Sequence, residues 1–388
     1  MHLPNLLQTR KDLDHVLMTA VKAGMSDIHL GGEDYIKARH HGEIKAFSPR
    51  VISSNEAENM LVSAYDENMS ALSMITTGED LDFAYVCKEW VDDQLLRFRV
   101  NASSRYRYGK LSIIIVFRVI TSEPPSIHQF STEKDIVETM TEMTKGLAIV
   151  VGPTGSGKST LLASIIRHRL ESRSEVVITH ESPIEYVYDD IETMSVVNQR
   201  EIGRAGNYKT FYEALVGALR QDPDLILVGE ARDKETINAA IHGVQTGHAL
   251  FTTMHTTGVA HTINRMVKEF EDSEREAKLM DIIDSLSMIV YQNLVLSTNG
   301  KRIALREYLV FDGEIKDRLR ECPVKALFTE IYAALIEKGQ TLLMDAEKKL
   351  KAKQIDKVTY TKIKKQFEAD ISKTKGQPKR KSNAHTQQ

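Results

Sequence analysis

The sequence predicts an α/β chain of two domains, a small α+β domain followed by a larger one built on a parallel sheet. Three observations carry that expectation. Between about residues 128 and 340 apolar strand-like runs (GLAIVV, EVVIT, DLILVG, HALFTT) alternate with helical ones, the pattern of βαβ units. A Gly-rich turn joins the first of these strands to the helical LLASIIRHRL. Ahead of them, residues 1–120 mix short strands and helices without that alternation.

Taken in order, apolar spacing over residues 12–23 predicts a helix, and SDIHL a strand after it. Strands are expected at YIKARHHG, LDFAYV, LLRFRV and LSIIIVFRVI, with a helix near residues 55–65. The Pro-containing TSEPPS breaks both periods, so residues 121–127 read as a linker. In the second domain, residues 128–340, the alternating units give way to a helical pattern from Arg275 to about Leu296. Residues 341–388 are charged and poor in aromatics, which predicts one or two exposed helices and then a disordered KTKGQPKRKSNAHTQQ.

A length of 388 residues, 41% of them hydrophobic and 27% charged, is a soluble globular composition. The net charge of -3 conceals a Lys-rich end, so the body is acidic and no specific nucleic-acid partner is expected. Cys87 and Cys322 form no CxxC, which argues against a disulfide framework or zinc knuckle and for a reducing compartment. The start MHLPNLLQTRKDLDHVLM has no signal-peptide core, and no run approaches the roughly 18 uncharged apolar residues of a membrane span. A cytoplasmic protein with at most peripheral membrane association is expected.

Chemistry concentrates in GPTGSGKS, that is Gly152, Pro153, Thr154, Gly155, Ser156, Gly157, Lys158 and Ser159, which satisfies G-x-x-x-x-G-K-[ST] between a strand and a helix. Glycines let backbone N–H groups curl around phosphate oxygens, Lys158 reaches the β and γ phosphates, and the Ser159 hydroxyl coordinates Mg2+. The expected ligands are therefore ATP and Mg2+. Such a loop needs a carboxylate near the metal and the attacking water. DLILVGEARD offers Glu230 at the end of an apolar strand, and THESPIEY offers Glu181. In TTMHTT, His255 stands among four threonines. His242, His248, His255 and His261 do not present two ligands one helical turn apart, so zinc is not expected; a histidine satisfied by threonine hydroxyls and a ligand sensor both stay open.

Five stretches in this order resemble the PilT-type secretion ATPase superfamily, the motors of type II secretion, type IV pili and type IV secretion. GPTGSGKST, which adds Thr160, resembles its Walker A motif, ITHESPIEY its Asp box, and NQREIG a short loop that follows. LRQDPDLILVGEARD resembles its Walker B signature and TGHALFTTMHTTGVAHTINRM its His box, while SDIHL, RFRVNA and FRVI resemble its amino-terminal domain. The resemblance implies a RecA-like P-loop NTPase domain preceded by a smaller PAS-like domain, working as a ring-shaped homo-hexamer. It places His255 beside the γ-phosphate with His248 accompanying it. From the residues themselves, Ser159 is expected to hold the metal with Glu230 near it, and Glu181 to polarise the attacking water, with an exchange of roles between the two glutamates as the alternative. Arg99 and Arg118 match arginines that approach the nucleotide, and Arg105 and Arg107 compete for a third such place.

Two departures bear on the branch. Ser182 stands where the Asp box has aspartate, which leaves more to Glu181, and DGEIKDRLRECP does not resemble the AIRNLIRE helix of pilus-retraction motors. Ala231 also replaces a larger apolar residue. These features resemble the DotB and TraJ branch of type IVB secretion and plasmid conjugation, which implies an ATP-driven motor on the cytoplasmic face of an inner-membrane transfer machine. The alternatives are a type IV pilus retraction or assembly motor and a RecA-like nucleic-acid translocase; the acidic body and 6% aromatic content disfavour the latter.

Overall fold

The computed structural model describes residues 3–40, 42–91, 94–120, 123–203 and 208–375. Thr121 and Ser122 of the expected linker, and residues 376–388 of the expected disordered end, lie outside them. In chain order the elements are α1 (Arg10–Lys22), β1 (Met25–Gly31), β2 (Asp34–His40), β3 (Glu43–Ile52), α2 (Ser54–Ala64), α3 (Ser70–Thr76), β4 (Leu81–Val91), β5 (Gln94–Arg107) and β6 (Lys110–Ile120). Next come α4 (Lys134–Glu142), β7 (Gly146–Val151), α5 (Lys158–Ser172), β8 (Val176–Glu181), β9 (Val196–Glu201), α6 (Phe211–Ala218), β10 (Leu225–Val228), α7 (Lys234–Gln245) and β11 (Ala249–Met254). The last are α8 (Val259–Lys268), α9 (Arg275–Ser285), β12 (Leu286–Leu296), β13 (Arg302–Val310), α10 (Gly313–Glu321), α11 (Leu327–Glu337), α12 (Leu342–Lys351) and α13 (Lys357–Lys375). The architecture is mixed α/β on two sheets, as the sequence predicts. Contacts group the chain into two compact units, Met1–Ser126 with Arg169–Gly229 and Ile127–His168 with Glu230–Gln388.

In the first unit β3-β2-β1-β6-β5-β4 form an antiparallel six-stranded sheet. Apolar residues at alternate positions turn inward, as in Phe83, Tyr85 and Cys87 of β4 or Phe98, Val100 and Ala102 of β5, so these strands bury an apolar face. That face meets Leu13, Val16 and Leu17 of α1 and Met60 and Leu61 of α2 in one core. Thr9 starts α1 with a capping box to Asp12, and Ser53 starts α2 with another to Glu56. The strand β3 was not expected, because EIKAFSPRVI carries Pro49 and exposed charges; it lies at the sheet's edge, where proline is tolerated. The same unit holds β10, β8 and β9 of the second, seven-stranded sheet, side by side and parallel.

The second unit contributes β11, β7, β12 and β13. β7 runs parallel to both β11 and β12, and every residue of GLAIVV is buried, as expected of a strand covered on both faces. The expected helix from Arg275 to Leu296 is corrected. Only α9 is helical, and LSMIVYQNLVL is β12, paired with β7 and antiparallel to β13. Apolar runs of this kind suit a buried helix or a strand equally, and the partners on either side decide. The carboxy-terminal helices are also less exposed than expected. Asp345, Ala346 and Lys349 of α12 are buried, and Ile355 and Ile363 join Leu305 in a small apolar cluster. No helix among the described residues is long and apolar enough to cross a membrane.

Candidate active site

The phosphate loop leaves the end of β7 and runs straight into α5. Gly152, at φ 152°, faces the backbone of β12, and a Cβ there would collide with the carbonyl oxygen of Gln292. Gly155 and Gly157, at φ 74° and 81°, take the left-handed conformation that side chains resist. Lys158 is only 8% exposed, and its Nζ donates to the carbonyls of Gly152 at 3.0 Å and Pro153 at 3.2 Å. The ammonium is thus drawn over the loop by the loop's own oxygens, which a phosphate can replace. Ser156 Oγ is buried with no hydrogen-bond partner among the described residues, which fits an anionic oxygen brought into the loop. Ser159 and Thr160 occupy the first turn of α5, where orphan N–H groups favour negative charge.

Two cavities flank this loop. One of about 420 Å³ is lined by Phe130, Gly157, Thr160, Leu161, Ile303 and Gln354 among others. The second, about 320 Å³, runs along Pro153, Thr154, Gly155 and Ser156, with Asn293 and Arg302 opposite. Their sizes suit a nucleotide-sized ligand spread along the loop.

Glu230 follows β10, and the neighbouring Ala231 N–H donates to the Thr253 carbonyl of β11 at 3.0 Å, which fixes the local backbone. The carboxylate of Glu230 meets Arg232 Nη2 at 2.7 Å, and its other oxygen lies 3.7 Å from His255 Nε2. The side chain of His255 is 46% exposed, so it is not a buried histidine held by threonines. Thr256 and Thr262 instead bond each other at 2.7 Å. His248 plays a local part: its Nδ1 lies 3.1 Å from the Gly243 carbonyl and 3.1 Å from Thr246 Oγ1, at the end of α7. No group of side chains suited to holding a metal by itself occurs among the described residues.

In the first unit Glu181 ends β8 with its carboxyl buried, accepting from Thr179 Oγ1 at 2.8 Å and more distantly from Gln199 Nε2 and the Glu185 N–H. Burial pushes this carboxyl up to about 7. Its neighbour His180 is buried, and burial lowers it to about 4, so the ring stays neutral at pH 7. Arg99 is exposed on β5, in register with Arg118 of β6, whose Nε donates to Asp27 Oδ1 at 2.7 Å. Arg105 donates to the Gly32 carbonyl at 2.9 Å, and Arg107 pairs with Asp34 at 3.4 Å, so both are engaged locally.

The comparisons with known proteins bear on both units. The description "Type II/IV secretion system protein" matches residues 6–316. The chain belongs to this secretion family. A type IV pilus retraction ATPase, PilT of Pseudomonas aeruginosa, is 31% identical over 333 residues, 86% of this chain and 92% of the relative. A twitching motility protein of Neisseria gonorrhoeae is 35% identical over 305 residues, 78% of this chain and 77% of the relative. Among solved structures, the Legionella pneumophila ATPase DotB superposes with a TM-score of 0.87 at 36% identity, covering 94% of this chain and 97% of that one. The pilus retraction motor PilT with bound ADP gives 0.77 at 30% identity, covering 90% and 96%. The type II/IV secretion family match ends inside α10, before α12 and α13.

Three residues of this secretion-family protein are not singled out by the sequence, although Arg97 lies in RFRVNA. Gln292 of β12 and Arg306 of β13 are buried polar residues in mid-strand, beside Asn293 and the equally buried Glu307, so polarity by itself does not single them out in the sequence. Arg97 is 8% exposed, and its Nε and Nη1 have no partner among the described residues. Burial lowers its pKa, opposed by the carboxylates of Glu201, Glu181 and Asp189. RFRV places Arg97 and Arg99 on one face, and the sequence directs attention to Arg99, whereas Arg97 is the covered one.

Proposed function

We propose that this ATP hydrolase of the type II/IV secretion family is a Mg2+-dependent motor, a homo-hexamer on the cytoplasmic face of an inner-membrane type IVB-like secretion or conjugative transfer apparatus. It is held to the membrane only peripherally, through partner proteins. The observation that carries the reading is Lys158, buried and bonded to the loop carbonyls of Gly152 and Pro153, in position to exchange them for phosphate oxygens. The DotB superposition at 36% identity, beside PilT at 30%, supports the type IVB branch over the pilus branch.

In this reading residues 128–340 act as a RecA-like domain and residues 1–120 as a PAS-like one, swinging about residues 121–127. The N–H groups from Gly152 to Thr160 cradle the phosphates, with Ser156 Oγ as an added partner. Ser159 and Glu230 would hold magnesium, which when bound neutralises charge on the β and γ oxygens. Glu181, once deprotonated, polarises the attacking water. His255, beside Glu230, registers the γ-phosphate, with His248 steadying the strand end before it. Arg99 and Arg118 supply guanidinium charge to a nucleotide, the role an arginine finger fills.

Sedimentation velocity of the full chain with a non-hydrolysable ATP analogue tests the assembly. A species six times the chain mass is expected. A monomer persisting at tens of micromolar protein with saturating nucleotide would contradict the ring.

A further inference from the structure

We infer that Gln292 is a positioning residue for the phosphate loop and that Arg306, anchored by Asp345 of α12, holds Gln292 in place. Gln292 is 3% exposed, and both ends of its amide are used. Nε2 donates to the Ser156 carbonyl at 2.7 Å, and Oε1 accepts from Arg306 Nε at 2.7 Å. That orientation follows from the partners, since a carbonyl cannot donate and a guanidinium cannot accept. The loop is fitted to this residue twice more: a Cβ on Gly152 would overlap the Gln292 carbonyl, and a Cβ on Gly157 would lie 3.0 Å from Gln292 Nε2.

The consequence for phosphate binding lies in one peptide plane. In a trans peptide the C=O and the following N–H point in opposite directions. Holding the Ser156 carbonyl toward β12 therefore aims the Gly157 N–H away from β12, which fixes one donor of the anion cradle. Arg306 is itself locked. Its Nη1 donates to the Ser131 carbonyl at 2.8 Å and Glu133 Oε2 at 2.9 Å, and its backbone N–H donates to Asp345 Oδ2 at 2.8 Å. Asp345 is held in turn by Lys349 Nζ at 2.5 Å. A continuous line of hydrogen bonds thus runs from α12, which lies beyond the family-matched residues 6–316, to the loop.

The inference rests on the nucleotide-binding reading and is tested apart from turnover, by titrating the full chain with a fluorescent ADP analogue in EDTA and by melting it without nucleotide. Gln292→Glu keeps an acceptor for Arg306 and loses the donor to Ser156. It should melt within a few degrees of the parent and bind ADP about 10-fold more weakly. Arg306→Lys, which replaces the fork of separate Nε and Nη1 donors with a single nitrogen, should lose affinity similarly, and the double variant should lose less than the product of the two. Parent-like ADP affinity in folded Gln292→Glu, or in Arg306→Lys should the first not fold, would overturn the inference. A parent that binds no ADP would instead sink the nucleotide reading itself.

Discussion

Glu181 carries the proton question of the site. Its carboxyl is pushed up to about 7 because burial disfavours the anion more than its hydrogen bonds favour it. The protonated form is therefore the one the nucleotide-free fold prefers. Stability from this group is fully present below the ordinary carboxylate range and is lost as pH rises through about 7. The water activation proposed for Glu181 requires the anion, so on that proposal kcat/KM should rise with pH through about 7. Glu181→Gln should bind nucleotide, lose hydrolysis, and lack the parent's decline in melting temperature over that range. Identical pH dependence of melting in parent and variant would show that this carboxyl is not the titrating group. His255 makes a different prediction, because an exposed imidazole 3.7 Å from Glu230 supports no core. His255→Ala should melt like the parent without nucleotide and bind ADP normally, yet lose most of the extra stabilisation that ATP confers. Collapse of the nucleotide-free variant would make the histidine structural.

Among the elements, the join between α5 and β8 is held by a buried ion pair. The Arg169 side chain is 0% exposed, and its Nε and Nη2 grip Glu175 at 2.9 and 2.7 Å. Glu175→Ala removes the bidentate carboxylate from that cation and should destabilise the fold by about 3 kcal/mol in urea titration; a loss under about 1 kcal/mol would show the cation to be compensated elsewhere. The strands that position the site were legible for a physical reason: β7, β8, β10 and β11 are parallel strands of the sheet interior and read as apolar runs. The phosphate loop and His255 follow β7 and β11 directly, Glu181 closes β8, and Glu230 stands two residues past β10, so the positions of these candidates could be read from the strands. β12 was not, because its strand character comes from β7 and β13 rather than from its own pattern. Gln292, Arg306 and Arg97 were illegible for a related reason. Gln292 holds the carbonyl of Ser156, Arg306 bonds Glu133, and Arg97 is opposed by Glu201, all partners more than a hundred positions away in the chain.

For the whole molecule, family membership and the phosphate loop make one claim, that the chain converts ATP hydrolysis into work for a secretion machine. Phosphate release by the purified full-length protein with Mg2+ and ATP, run beside Lys158→Ala and Glu230→Gln, tests it most directly. The parent should turn over, and both variants should keep their circular dichroism while losing roughly 100-fold or more of the rate, because one lacks the buried cation at the loop and the other the carboxylate beside His255. Near-parent turnover in a folded Lys158→Ala protein, or no turnover in the parent under any nucleotide and metal condition, would contradict the account.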